Sequence, residues 1–205
     1  MKFILTRHGE KQHVESIRYE DYFNASLSET GIGQIQLLAN YLKTKFPELV
    51  RQKYVYSSHM PRSIQTAEIL RQIIGTKEIF IYSALQEFFG SNTMSLPMDE
   101  RRAIHLKALE NPDFVPADVG RSFNQALSDF RVCLELIAKE NQNEYILISG
   151  HGMITRCFIY TFAPELKPAP EVFFENGSKA GGYSVVEYKN GKFSLLEYNQ
   201  LPNFN

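Results

Sequence analysis

No apolar run in this 205-residue chain approaches the roughly 20 residues of a membrane-spanning helix. The run near the N-terminus, Phe3-Ile4-Leu5, is also too short for the centre of a secretory signal. There are only two cysteines, Cys133 and Cys157, both in helix-like stretches and without metal-type spacing. They are read as reduced core residues of a cytoplasmic protein. Neither sign of charge is in excess, with 22 Lys and Arg against 23 Asp and Glu. No basic block is long enough for an arm that binds nucleic acid or a membrane. There is no Walker-type loop, no Gly-x-Ser-x-Gly elbow and no His-Glu-x-x-His pair. Gly31-Ile32-Gly33 lacks both the third glycine and the preceding strand of a dinucleotide site. The five histidines, His8, His13, His59, His105 and His151, are not paired as metal ligands, so neither metal nor cofactor is expected.

What is present is an α/β rhythm. Phe3-Ile4-Leu5 reads as a buried strand that stops at Arg7-His8-Gly9. Residues 11–30 are polar and irregular, a loop long enough to suggest function. Ile32, Ile35, Leu38, Ala39, Leu42 and Phe46 space an amphipathic helix over 31–46. Tyr54-Val55-Tyr56 predicts a strand, Pro61 starts a helix that runs to about residue 74, and Glu78–Tyr82 a third strand. Such an order points to a parallel sheet with right-handed crossovers. Residues 88–121 interrupt it as a small cap with a charged helical piece at 99–110. A helix over about 122–140 leads back to Tyr145-Ile146-Leu147-Ile148, which suits the centre of a parallel sheet. Met153–Phe162 reads as helix. Two alternating strands around Asn190-Gly191 end the chain as an antiparallel hairpin. The expected fold is a three-layer α/β sandwich: a mostly parallel sheet, helices on both faces, and a small helical cap on one domain spanning 1–205.

Two strands end alike, the first in Arg7-His8-Gly9 and the strongest in Gly150-His151-Gly152. In open α/β sheets ligands bind at the carboxyl ends of strands, and glycine lets backbone approach a ligand closely. Arg62 falls in the first turn of a helix, where the dipole disfavours a cation, and also just beyond a strand end. A guanidinium and free backbone N–H groups converging on one point suit phosphate. Glu87, flanked by Leu85, Phe88 and Phe89, reads as a carboxyl in an apolar setting, fit to act as an acid. Arg101, Arg102, His105 and Lys107 form a basic stretch in the cap, either a solvated face or a surface that meets an anionic substrate.

Arg7-His8-Gly9-Glu10 resembles the signature of the histidine phosphatase superfamily, the phosphoglycerate mutase-like proteins. Leu27-Ser28-Glu29-Thr30-Gly31-Ile32-Gly33-Gln34 is similar to the helix start of that family. Ser57-Ser58-His59-Met60-Pro61-Arg62-Ser63-Ile64-Gln65-Thr66-Ala67 is similar to its arginine segment. Leu85-Gln86-Glu87 matches its acid motif and Ser149-Gly150-His151-Gly152 its second histidine, in order over about residues 1–160. The resemblance implies that His8 is a nucleophile that takes the phosphoryl group. Arg7, Arg62 and His151 would then bind its oxygens, and Glu87 would serve as acid and then base, without a metal.

Val14 stands where many members have a phosphate-binding Asn, and His13 or Asn24 is the candidate substitute. Gly120-Arg121-Ser122 carries a cation where the family has a carboxylate. The Glu87-Phe88-Phe89-Gly90 loop is one residue short and lacks the run typical of glycolytic mutases. The resemblance therefore implies a phosphatase, not a mutase, acting on a phosphorylated small molecule, with no nucleic-acid or membrane partner and with a homodimer left open. A phosphohistidine-protein phosphatase and a non-catalytic phosphate-binding module are the alternatives.

Overall fold

Strand β1 (Lys2–Arg7) shows how the layers arise. Side chains alternate across a sheet, so Phe3 and Leu5 face one side and Ile4 the other, and all three are buried. On the first side they join Tyr56, Ile146, Ile148, Phe130 and Phe158. On the second, Ile4 meets Val55, Leu147, Ile35, Leu38 and Leu70. A sheet covered on both faces is the middle of three layers, as the sequence predicts.

The computed structural model describes residues 1–14, 21, 23–88, 98–116, 121–142, 144–169, 172, 173, 175 and 177–203, with Met98 and Arg101 as backbone only. Its sheet contains β1, β2 (Tyr54–Ser57), β3 (Glu78–Ile81), β4 (Tyr145–Gly150), β5 (Tyr183–Lys189) and β6 (Lys192–Gln200), in the order β3-β2-β4-β1-β5-β6. Strand β4 pairs in parallel with both β1 and β2, the central place its unbroken apolar run predicts. Strand β5 runs antiparallel to β1 and to β6. The hairpin turn has Asn190 at φ 53° and Gly191 at φ 74°, the left-handed pair of a type I′ turn.

Helices α1 (Glu29–Lys45) and α2 (Pro61–Ile74) supply the core on the Ile4 side. Helix α1 begins two residues before the span of 31–46 that the apolar spacing predicts, because the Ser28 side chain caps it by accepting the Gly31 N–H. The other face is covered by α4 (Phe123–Glu140) and α5 (Gly152–Tyr160). A capping box joins Ser122 and Gln125 at the start of α4. In the cap, α3 (Met98–Glu110) sends Ala108 into the core beneath it. The rest of that insertion, residues 89–97 and 117–120, including Phe89, Gly90 and Gly120, lies outside the described residues. Among the described residues no helix is long and apolar enough to cross a membrane.

Candidate active site

In the β1–β4 register Arg7 lies opposite Gly150, so the next residues, His8 and His151, leave adjacent parallel strands side by side. Their ring centroids are 5.3 Å apart and the rings meet edge to face. His8 Nδ1 lies 2.7 Å from the Gly9 carbonyl. A carbonyl only accepts, so the ring proton belongs to Nδ1 and the lone pair to Nε2. Arg62 Nε, which only donates, points at Nε2 from 3.2 Å, in agreement with that tautomer. Burial, and next the Arg62 charge, push the His8 pKa down to about 3, so the ring is neutral at neutral pH.

Arg62 reaches back from the first turn of α2 and is only 1% exposed. Its Nη1 donates to the Phe23 carbonyl at 3.3 Å and its Nη2 lies 3.3 Å from Met60 Sδ. The Arg7 guanidinium donates to the Ser178 carbonyl. Gly152 makes room for Arg7, since a Cβ there would fall 3.2 Å from the Arg7 Cδ and the Ser178 Cβ.

His151 occupies the position just before α5, its ring making no capping bond to the helix, and is fully buried. Its Nε2 is 2.7 Å from Ser58 Oγ, and its Nδ1 has no hydrogen-bond partner among the described residues. Burial, and then the neighbouring His8, Arg62 and Arg7, hold its pKa well below the ordinary histidine value.

Glu87 departs from the sequence expectation of an apolar setting. Leu85 and Phe88 turn into the core, while the carboxylate sits over the first turn of α5. Its Oε2 accepts the Met153 N–H at 3.0 Å, and its Oε1 accepts the Ile154 N–H at 2.8 Å and the Phe88 N–H at 3.1 Å. Phe88 turns away into the core, so it does not enclose the carboxyl beside it.

Arg7, His8, Arg62 and Glu87 line one cavity of about 440 Å³, within the range of small-molecule sites. His151 is packed against it and borders a much smaller void with Arg7, Thr155 and Ser184. Asn24 and His13 are exposed, and neither they nor Val14 line the cavity. Nor do Arg102, His105 or Lys107: His105 is buried and the Lys107 ammonium lies 4.2 Å over the Phe114 ring. Two cations that the sequence reading missed do line it, Lys11 and Arg156. Arg156 is buried, stacks 4.0 Å over the Phe173 ring and donates to the Phe173 carbonyl at 2.7 Å. The signal was its place four residues after Gly152, on the same helix face. Lys11 directly follows the Arg7–Glu10 signature. Ser58, the partner of His151, gave no signal beyond lying within the motif.

A family model described as the histidine phosphatase superfamily (branch 1) matches residues 3–201. Phosphoserine phosphatase 1 of Hydrogenobacter thermophilus is 24% identical over 202 residues, covering 97% of this chain and 92% of its own. Phosphoglycerate mutase-like protein 4 of Arabidopsis thaliana is 22% identical over 176 residues, 83% of this chain and 75% of its own. A mycobacterial glucosyl-3-phosphoglycerate phosphatase, solved with inorganic phosphate, superposes with a TM-score of 0.72 at 18% identity, covering 98% of each chain.

Proposed function

The chain belongs to branch 1 of the histidine phosphatase superfamily, and from that premise we propose that it hydrolyses phosphate monoesters through a phosphohistidine on His8. The observation that carries this reading is the 2.7 Å contact of His8 Nδ1 with the Gly9 carbonyl, which puts the lone pair on Nε2, the atom that attacks once the phosphoryl group displaces the Arg62 N–H. Nε2 bonds to phosphorus as the ester P–O bond breaks, and the leaving oxygen takes a proton from Glu87. Water then attacks phosphorus, Glu87 takes back a proton, and the N–P bond breaks to return neutral His8 and inorganic phosphate. Arg7 and Arg62 supply the positive charge around the phosphoryl oxygens, and the first turn of α5 lies beside them.

Lys11 and Arg156 add two cations to the same cavity, which favours esters carrying a second anionic group. The names of two relatives, a phosphoserine phosphatase and a glucosyl-3-phosphoglycerate phosphatase, carry substrates of that kind. The test is to trap the protein during turnover of a labelled ester in the presence of a chelator. An acid-labile phosphoryl group on His8 is the expected result; turnover without it, or turnover stopped by the chelator, would rule the mechanism out.

A further inference from the structure

Ser58 has no part in the chemistry above, yet among the described residues its side chain alone hydrogen-bonds the His151 ring. It lies just past β2, fully buried, its N–H donating to the Ser149 carbonyl of β4. Its hydroxyl accepts the Met60 N–H at 3.3 Å. One hydroxyl hydrogen remains, and among the described residues its acceptor is His151 Nε2, 2.7 Å away. A ring nitrogen that accepts carries no proton, so a neutral imidazole then holds its proton on Nδ1.

We propose that Ser58 is a positioning residue that locks His151 in the Nδ1–H tautomer, so that the ring offers a donor to the phosphoryl group carried by His8. The opposite arrangement, Nε2–H donating to Oγ, strands the hydroxyl hydrogen among the described residues and leaves a lone pair at Nδ1. A lone pair there repels a phosphoryl oxygen. Burial keeps the ring neutral, so it has a single proton to place, and its location decides whether the ring attracts or repels an anion. Nδ1 is buried with no partner among the described residues, and a buried N–H is costly until an acceptor arrives. The same logic governs ligand histidines, where the partner of one ring nitrogen sets the role of the other.

The catalytic consequence rests on the phosphohistidine reading, whereas the tautomer does not, and the experiment separates them. The full chain is labelled with ¹⁵N-histidine, and the His151 signals are assigned by their loss in His151→Gln. The expected wild-type pattern is a protonated Nδ1 and an unprotonated, hydrogen-bonded Nε2, with the Nδ1 signal shifting when inorganic phosphate is added. Protonation at Nε2 in the wild type overturns the proposal, as does a ring pattern unchanged in Ser58→Ala. In hydrolysis assays Ser58→Ala should lower kcat about tenfold with KM little changed, as loss of one hydrogen bond to a charged transition state does. Ser58→Thr, which keeps the hydroxyl, should recover most of it. Wild-type kcat in Ser58→Ala overturns the catalytic role. Absence of hydrolysis in every form defeats the phosphatase reading instead, and the wild-type ring signals still decide the tautomer. Those signals also decide it if Ser58→Ala does not fold.

Discussion

Arg62 Nε stands 3.2 Å from His8 Nε2, so the cation that is to hold the phosphoryl group rests against the lone pair that is to attack it. A phosphoryl group entering between them takes the guanidinium as its counter-charge at the moment the lone pair is released. Arg62→Ala should therefore lower kcat/KM by about 10²–10³, the usual cost of one transition-state donor. Arg62→Lys should recover little, because an ammonium lacks the planar fork. In Arg62→Ala the His8 pKa should rise from about 3, since a neighbouring positive charge is gone, while burial keeps it below the ordinary value. An NMR titration of His8 reads that shift.

Stability should fall in acid through His8. In the fold it titrates near 3 and ordinarily at 6.5, so between these values the unfolded chain binds a proton that the fold refuses. Stability then drops as pH falls from 6.5 towards 3, by up to about 1.4 kcal/mol per pH unit for this one proton, and is unaffected by it above 6.5. His151 adds a loss in the same direction. Urea midpoints measured across this range should change less steeply in His8→Gln, a variant that should also lose all turnover. An equal slope in the two proteins would mean that His8 is not held neutral.

Glu87→Gln should slow phosphorylation of His8 by about 10²–10⁴ for alkyl phosphates. The slowing should be much smaller for nitrophenyl phosphate, whose leaving oxygen needs no proton. Single-turnover quench measurements distinguish the two. Equal slowing for both esters would remove Glu87 from the acid role. The glutamine amide would also turn a donor towards an N–H of Met153, Ile154 or Phe88, and the loss of one such bond should cost about 1 kcal/mol of stability.

Gly31 and Gly33 are two residues apart in α1 and should respond oppositely to alanine. A Cβ on Gly31 would fall 2.0 Å from the Glu10 carbonyl oxygen, whereas one on Gly33 meets nothing within 4 Å. Gly31→Ala should destabilise by about 1–3 kcal/mol, as overpacking does, and push the His8 loop out of place. Gly33→Ala should stabilise by up to about 1 kcal/mol through helix propensity. Urea unfolding of both variants checks the pair; equal effects would mean that the loop does not rest on α1.

The sheet was legible because its central strand is an unbroken apolar run and its neighbours end in polar motifs that a sheet interior excludes. Two histidines at strand ends predicted a shared site, and the register places them side by side. The caps at Ser28 and Ser122 are local in sequence, and the first lies inside the family motif. What escaped were relations across space. Nothing near Glu87 in the chain announces that its oxygens meet the amides of Met153 and Ile154. Arg156 looks like any arginine on a helix until the fold turns that face towards His8. Helix α3 has no clear apolar stripe, so its exposed face could not be told from one that meets the substrate.

The sheet order bears on how this protein comes into being. By the time synthesis has passed Glu87, the chain already holds Arg7, His8, Arg62 and Glu87, the proposed nucleophile with its arginines and acid. Yet β1 and β2 are not neighbours: β4 lies between them, and β1 is flanked on its other side by β5. Closing so long a loop is entropically late, so the nascent chain carries a dismantled site until residues 145–150 slot between two waiting strands. Activity should then switch on in one step during translation, and no N-terminal fragment should show a fraction of it.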